Sequence, residues 1–262
     1  MQTDVDQIAD RIYRISTCIP EIAPGGFTFN QFLVDADEPL LYHTGMHQLF
    51  PLVREAVERV MPVERLRWIG FAHLEADECG AVNDFLAVAP HAQVAHGALG
   101  VMLSLNDHCT RPPVPLQDGE VLELGGAALS RRVLEIATPH VPHNWESHMF
   151  FEQETETLFC GDLLSQLGNG AALRTDDIVE EVIAAEELFH QTSLGPAVPA
   201  TYRRLADLAP KRLAVMHGSS YEGDCAALLR TVADVYELRF GCGTGVPAQP
   251  LPSHDALVGS TL

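Results

Sequence analysis

Three side chains that could bind a metal ion stand at alternate positions, directly after an apolar segment. His73, Glu75 and Asp77 follow the apolar run over residues 66–72. The spacing i, i+2, i+4 places three side chains on one face of an extended chain. Imidazole and carboxylate groups are common ligands of transition metals. The same three residues also fit a solvated acidic loop before a helix, since acidic side chains are favourable at a helix N-terminus.

Apolar runs of the same kind precede three other residues that carry imidazole or carboxylate groups, His143, Asp162 and His217. Each run is short and strand-like, and the polar residue follows at or soon after the point where the chain leaves the predicted sheet. Loops beyond neighbouring strand ends converge, so side chains from four such loops can meet around a shared cation. Four coincidences of one kind indicate a metal site more strongly than one motif does.

Each of these later residues has a plainer interpretation. His140 and His148 lie in the same segment as His143 and compete with it as ligands. Asp162 could cap a helix, because aspartate is a favoured N-cap residue. His217 could occupy a turn. The residues alone leave these alternatives open.

The elements that would position these residues alternate between strands and helices in both halves of the chain. Apolar periodicity predicts strands over 11–16, 27–34, 39–42, 66–72, 92–96, 121–124, 132–137, 149–153, 157–160 and 213–216. It predicts helices over 49–60, 80–89, 176–191, 199–209 and 223–239. The pattern is typical of a mixed α/β layered domain, expected over 1–240, with an irregular Gly- and Pro-rich tail over 241–262.

Composition excludes several classes of partner and site. The 262 residues include 36 acidic side chains against 16 Lys and Arg, a net charge of −20, so nucleic acid and anionic membranes are poor partners. Apolar runs fall short of the roughly 18–20 residues that span a bilayer, and the acidic N-terminus is unlike a signal peptide. A cytoplasmic protein is expected. The six cysteines form no CxxC pair, which argues against a disulfide framework, a cysteine zinc site or an iron–sulfur cluster.

Taken together, the four segments resemble the metallo-β-lactamase fold, and within it the branch of flavodiiron and related oxygen-binding diiron proteins. The resemblance covers roughly residues 8–240 and implies an α/β fold, an αββα sandwich with a binuclear metal site at one edge of its two sheets. The family pattern selects His143 over its neighbours. It assigns one metal to His73, Glu75 and His143, the other to Asp77 and His217, and a bridging role to Asp162.

The residue at position 75 separates the branches of this fold. Zinc hydrolases of the fold usually carry histidine there, whereas Glu75 offers an anionic oxygen that suits iron or manganese better than zinc. The resemblance therefore implies two iron ions, with manganese or zinc as alternatives, that bind and reduce O2 or NO or serve to sense O2. Reducing O2 to water takes four electrons and a diferrous site supplies two, so an external electron donor is expected. No FMN site is expected in this chain. A homodimer is expected.

A metal-dependent hydrolase is the alternative function. A binuclear site lowers the pKa of a bridging water and can generate hydroxide at neutral pH. Members of the fold cleave thioesters, lactones and phosphodiesters. A third possibility is a diiron oxygenase, which would require a deep pocket for an organic substrate.

Three further residues could support the site. Glu78 stands where many relatives have histidine, and it could be an additional ligand, a partner that holds a ligand from behind, or a solvated carboxylate. His43 stands where the fold commonly has a supporting aspartate. Tyr221 could face the open coordination position, or it could be a core tyrosine.

Overall fold

The structure, a computed structural model that describes residues 3–241, is built on two seven-stranded sheets. The first sheet holds β1 (Thr3–Ala9), β2 (Ile12–Ile19), β3 (Phe27–Val34), β4 (Leu40–Tyr42), β5 (Trp68–Gly70), β6 (Gln93–Gly97) and β7 (Val114–Leu116). The second holds β8 (Val121–Glu123), β9 (Arg132–Ala137), β10 (His148–Glu152), β11 (Thr157–Phe159), β12 (Leu173–Arg174), β13 (Arg212–Ala214) and β14 (Ser220–Glu222).

Helices connect these strands. They are α1 (Phe50–Glu58), α2 (Ala76–Cys79), α3 (Val82–Val88), α4 (Ala98–Gly100), α5 (Asn106–His108), α6 (Val179–Phe189), α7 (Ala197–Asp207) and α8 (Cys225–Arg239). Short 3-10 turns lie at His47–Leu49 and Val63–Arg65, and a π-helical turn, Val101–Leu105, joins α4 to α5. Among the described residues, no helix is both long and apolar enough to cross a membrane.

Both sheets mix antiparallel and parallel pairing. The first runs in chain order from β1 to β7, antiparallel as far as β4 and parallel from β4 onward. The second has the order β12-β14-β13-β11-β10-β9-β8, with parallel pairs between β12 and β14 and between β11 and β13. Parallel pairing makes β4 and β5, and likewise β11 and β13, end on the same side of their sheet.

An aromatic core between the sheets holds them face to face. The ring centroids of Tyr42 and Phe150 are 5.5 Å apart and those of Tyr42 and Phe159 are 4.9 Å apart, so strand β4 packs directly on β10 and β11. Phe32 of β3 also packs on Phe159, at 5.7 Å. All four side chains are fully buried, and burial of each contributes about 1.5–3 kcal/mol.

Helices cover the outer faces of both sheets. Val53, Ala56 and Val57 of α1, which keep the spacing of one helix face, pack with α3 on the first sheet. Helices α6, α7 and α8 form a second apolar cluster on the other sheet. The order is therefore helices, sheet, sheet, helices, and the predicted αββα sandwich is confirmed.

The long elements agree with the sequence predictions, and the short ones account for most differences. Each predicted strand and helix has a counterpart, with ends that shift by a few residues. Strands β1, β7, β12 and β14 were not predicted, because three of them have three residues or fewer and β1 is acidic and only partly buried. The division into a 1–240 domain and a 241–262 tail stays a prediction, since residues 242–262 lie outside the described ones.

Candidate metal centre

The first group of predicted ligands lies in the loop between β5 and α2. His73 follows β5 by three residues and is fully buried, while the Glu75 side chain is half exposed. Asp77 lies in the first turn of α2, where its charge is favourable next to the helix N-terminus. The backbone N–H of Leu74 donates to the buried carboxylate of Glu146, at 3.0 Å, and this bond anchors the loop.

Asp162 follows β11 through a turn that requires glycine. Gly161 has φ +51, and a Cβ there would lie 2.6 Å from the Cβ of Ala72. The loops after β5 and β11 therefore touch, which brings Asp162 next to His73. No helix begins at Asp162, so the capping interpretation is wrong.

His217 follows β13 and is held by strand β3 of the other sheet. Its Nδ1 donates to the carbonyl of Thr28 at 2.8 Å, and the N–H of Gly218 donates to the Thr28 hydroxyl at 2.7 Å. The ring of Phe27 stacks on the imidazole with centroids 4.3 Å apart. Because the Thr28 carbonyl and the Phe27 ring fix the imidazole, its Nε2 points toward the loops that carry the other predicted ligands.

The structure brings the six residues together in two groups, His73, Glu75, His143 and Asp162 in one and Asp77, Asp162 and His217 in the other. We call these six residues the donor cluster. In the first group, Oε2 of Glu75 lies 2.9 Å from Nε2 of His73 and 3.2 Å from Nε2 of His143. The two Nε2 atoms are themselves 2.9 Å apart.

Asp162 belongs to both groups through different oxygens. Its Oδ2 lies 3.5 Å from Nε2 of His73 and 3.9 Å from Nε2 of His143. Its Oδ1 lies 3.1 Å from Nε2 of His217, which is also 3.3 Å from Oδ2 of Asp77. A carboxylate whose two oxygens face two separate sets of donors has the arrangement of a bridging ligand.

The hydrogen bonds behind the histidines fix which nitrogen faces the centre. The carbonyl of Gln191 lies 2.7 Å from Nδ1 of His143, and that of Thr28 lies 2.8 Å from Nδ1 of His217. Carbonyl oxygens only accept, so both Nδ1 atoms carry a proton and both Nε2 atoms present a lone pair in the neutral ring. The Nε2 atom of His143 faces Nε2 of His73 and a carboxylate oxygen of Glu75, and that of His217 faces carboxylate oxygens of Asp77 and Asp162. Lone pairs in these positions repel their neighbours unless a proton or a metal ion lies between them. The donor cluster therefore fits metal ions.

The electrostatics of the cluster also favour positive charge. Burial acts against charge on His73 and His217, but the carboxylates around them raise both pKa values to about 10. Hydrogen bonds from His143 and His73 lower the pKa of Glu75 to about 2. Burial would raise the pKa of Asp162, yet His217 and His73 lower it well below the usual range. Metal ions can replace the protons that the imidazoles would otherwise hold.

Glu78 lies behind His73 rather than in solvent. Its Oε2 accepts from the backbone N–H of His73 at 2.6 Å, and its Oε1 is 3.3 Å from Nδ1 of the His73 ring. Both Glu78 and His43 are fully buried, and Nε2 of His43 lies 3.5 Å from Oε1 of Glu78. Burial raises the pKa of Glu78 to about 8 and lowers that of His43 to about 3. Of the alternatives for Glu78, the solvated carboxylate is wrong.

The remaining candidate residues belong to neither group of the donor cluster. His140 is an exposed loop residue and His148 belongs to β10. Tyr221 lies in β14, among apolar side chains under α6 to α8, which fits a core tyrosine. His96, which no sequence motif marks, is fully buried, because β6 is covered on both faces. Its ring packs on that of His148, with centroids 4.1 Å apart.

The supporting groups were harder to predict than the ligands. The acceptors for His143 and His217 are main-chain carbonyls of Gln191 and Thr28, and every residue carries one. No sequence signal marks them. Glu146 carries only a weak signal, its position three residues after His143.

Among proteins of known sequence, the chain is similar to cyanobacterial flavoproteins. A Thermosynechococcus vestitus protein classed as diflavin flavoprotein A 1 is 27% identical over 203 residues, which are 74% of this chain and 34% of that protein. A diflavin flavoprotein A 1 of Synechocystis is 23% identical over 189 residues. The chain therefore spans about a third of the length of the curated relatives it matches.

Solved structures share the fold. Rubredoxin oxygen:oxidoreductase from Desulfovibrio gigas superposes with a TM-score of 0.76 at 19% identity, over 89% of this chain and 62% of that one. A mutant of the flavo di-iron protein from Thermotoga maritima gives 0.78 at 18% identity, over 90% and 62%. The sequence model of the family described as ODP family beta lactamase matches residues 27–218, about three quarters of the chain and all six members of the donor cluster. The chain thus belongs to the ODP family of beta-lactamase-fold proteins.

Proposed function

We propose that the donor cluster holds two iron ions and that the protein binds O2 or NO there, either reducing the gas or sensing O2. The observation that carries the proposal is the division of Asp162 between two sets of donors, with Oδ2 facing His73 and His143 and Oδ1 facing His217. A pair of ferrous ions would supply two electrons to a bound diatomic gas. The likeness to flavo di-iron proteins supports the same function.

Glu75 supports iron over zinc. Its carboxylate lies within 3.2 Å of Nε2 of both His73 and His143, so the first group combines two nitrogens with anionic oxygens. Such mixed donor sets suit iron or manganese, whereas zinc sites are richer in nitrogen and sulfur.

The chain's own residues shape access to the centre. His73 is fully buried and the side chains of Asp162 and His217 are nearly so, but those of Glu75 and His143 are 50% and 28% exposed. A small molecule would therefore approach from the side of Glu75 and His143. Phe27 and Phe29 pack on the ring of His217 and exclude water from the opposite side.

Reduction of O2 to water takes four electrons and two ferrous ions would supply two, so turnover would require electrons from a donor. A separate donor would supply these electrons. We also infer a homodimer, because the resemblance to flavodiiron proteins implies one. The names of similar proteins refer to rubredoxin and to flavin. For this chain we propose a donor of either kind, a rubredoxin or a flavin-containing protein.

The test is anaerobic loading with ferrous iron, followed by metal analysis and exposure to each gas. We expect two irons per chain, a ferric charge-transfer absorption after O2 is added, and consumption of O2 or NO in the presence of a chemical reductant. A protein that retains two zinc ions in preference to iron, hydrolyses a thioester or lactone and leaves both gases untouched would instead be a hydrolase. Asp162→Ala, which removes a donor from both groups, serves as the metal-depleted control.

A further inference from the structure

A short segment after α6 lies against the loops that carry two members of the donor cluster. The main-chain carbonyl of Gln191 accepts from Nδ1 of His143 at 2.7 Å. The side-chain amide of the same residue donates to the main-chain carbonyl of Asp162 at 3.0 Å. We call residues 191–193 the strap. One residue of the strap therefore contacts a ligand ring of the first group and the backbone of the shared carboxylate.

The strap also holds the chain that leads to His143. The backbone N–H of Ser193 donates to the carbonyl of Pro142 at 2.7 Å, and its hydroxyl donates to the carbonyl of His140 at 2.7 Å. The side chain of His143 is 28% exposed, whereas those of the other two histidines of the donor cluster are 5% exposed or less. Packing therefore fixes this ring least, and its position depends most on the hydrogen bonds from the strap.

A buried carboxylate in the last turn of α6 holds the strap in turn. Glu186 has no exposed surface. Its Oε1 accepts from the backbone N–H of Thr192 at 3.3 Å, and its Oε2 accepts from the hydroxyls of Thr192 and Tyr236. Two of the three donors to this carboxylate thus belong to one residue of the strap.

The helix that carries Glu186 does not favour a carboxylate at this position. The partial negative charge at the C-terminal end of a helix repels an acidic side chain in the last turn. Burial adds a cost of several kcal/mol unless the oxygens of the carboxylate are hydrogen-bonded. The donors on Thr192 and Tyr236 offset this cost, so the carboxylate and the strap fix each other.

We propose that Glu186 is a positioning residue for the metal centre, which fixes the strap through Thr192 and thereby holds the ring of His143 at the first group of donors. The inference rests on the proposed function only in that the donor cluster binds metal ions. A ligand that is already in place does not have to be ordered when the ion binds, so fixing His143 raises the affinity of the first group.

The second group has supports of its own. The main-chain carbonyl of Asp162 also accepts from the hydroxyl of Ser165 at 2.6 Å and from its N–H at 3.3 Å. The ring of His217 is held by the carbonyl of Thr28, on the other sheet. A displaced strap should therefore affect the first group and leave the second nearly unchanged.

The experiment compares Thr192→Val, which removes the hydroxyl that donates to Glu186, with Thr192→Ser, which keeps one. Each is made in the full chain in two backgrounds, since His217→Ala leaves the first group complete and His143→Ala leaves the second complete. Competition with a chromophoric chelator gives the affinities for Fe²⁺ and for Zn²⁺. We expect Thr192→Val to weaken binding at least about ten-fold in the His217→Ala background and less than about three-fold in the other. Thr192→Ser should restore the affinity.

Thr3→Val is the matched control for a lost buried hydroxyl. Thr3 is 5% exposed, and its hydroxyl bonds that of Thr17 at 2.8 Å, far along the first sheet. Urea unfolding should show losses of stability of similar size for Thr3→Val and Thr192→Val, while Thr3→Val leaves both affinities unchanged. The exposed variant Ser193→Ala tests the strap without a buried change, and it should weaken the first group about two- to five-fold.

Other results would overturn the inference. Equal losses in the two backgrounds would indicate a general effect on the fold, and a Thr192→Ser variant as weak as Thr192→Val would exclude the hydroxyl as the cause. Unchanged affinities in both Thr192→Val and Ser193→Ala would show that the strap does not position His143. Retention of zinc over iron by the unmodified chain, without any reaction with gas, would overturn the proposed function instead. A background-specific loss of zinc affinity would still support the role of Glu186.

Discussion

Nε2 of His43 lies 3.5 Å from Oε1 of Glu78, and neither side chain has any exposed surface. The other oxygen of this carboxylate, Oε2, accepts from the backbone N–H of His73, and Oε1 also faces Nδ1 of the His73 ring. Glu78 thus connects a buried neutral histidine to a member of the donor cluster. In metal sites, a carboxylate behind a histidine ligand orients the ring and raises its basicity.

We predict that Glu78→Gln weakens metal binding by about 10- to 100-fold while the fold is retained. The amide oxygen can still accept from the backbone N–H of His73, but the amide NH2 group would then face Nδ1 of His73 in place of a carboxylate oxygen. Competition with a chromophoric chelator would measure the change in affinity. The exposed variant Glu55→Gln, on α1, is the matched control, and equal affinities for the two variants would contradict a role for Glu78 behind the ligand.

The shared position of Asp162 predicts unequal losses of metal. His217→Ala should leave one ion per chain, because His73, Glu75, His143 and Asp162 still form a complete group. Asp162→Ala should leave fewer than one, since both groups lose a ligand. Metal analysis after loading and gel filtration gives the stoichiometry, with the exposed His91→Ala as the control that retains two. Two ions in Asp162→Ala would exclude the bridging role.

The meeting of the six residues of the donor cluster could be predicted because each one follows an apolar run. A run such as 213–216 identifies a buried strand, and a histidine at its end, as in His217, must emerge at a sheet edge. The αββα layering followed from the alternation of strands and helices together with the family resemblance. Both depend on long-range apolar patterning, which a single sequence carries well.

The surroundings of the site could not be predicted in the same way. Whether His96 is exposed or buried depends on which strands cover β6, and that is a matter of tertiary packing. The tautomers of His143 and His217 are set by carbonyls 48 and 189 positions away in the chain. Short strands such as β14 form because partners on either side offer hydrogen bonds, and they have little intrinsic signal.

Glu75→His is expected to change the preferred metal. The substitution replaces an anionic oxygen with a nitrogen in the first group and recreates the histidine-rich pattern of zinc hydrolases, so zinc should be retained over iron. Loading with an equimolar mixture of the two metals, followed by elemental analysis, would report the ratio. Gas-dependent absorbance should fall with the iron content. The exposed variant Glu64→His should leave the ratio unchanged, and an unaltered preference in Glu75→His would show that position 75 does not select the metal.

The buried carboxyl of Glu135 predicts a specific pH dependence of stability. Burial and Asp118 raise its pKa to about 8, Arg204 lowers it and Glu120 raises it further, while His148 faces its Oε1. The native state keeps this proton at a pH where the unfolded chain, with a pKa near 4.5, has lost it. The native chain therefore binds more protons, and the contribution of Glu135 to stability is complete below about pH 4.5 and is lost as the pH rises toward 8.

Glu135→Gln removes this titration. Relative to the unmodified chain, the variant should gain stability as the pH rises from 5 to 8, by about 1–3 kcal/mol after allowance for relaxation of the site. Urea unfolding at several pH values would give the difference in the free energy of unfolding. The exposed Glu123→Gln should show a difference that is flat over the same range. A flat difference for Glu135→Gln as well would mean that this carboxyl group ionises normally in the folded protein.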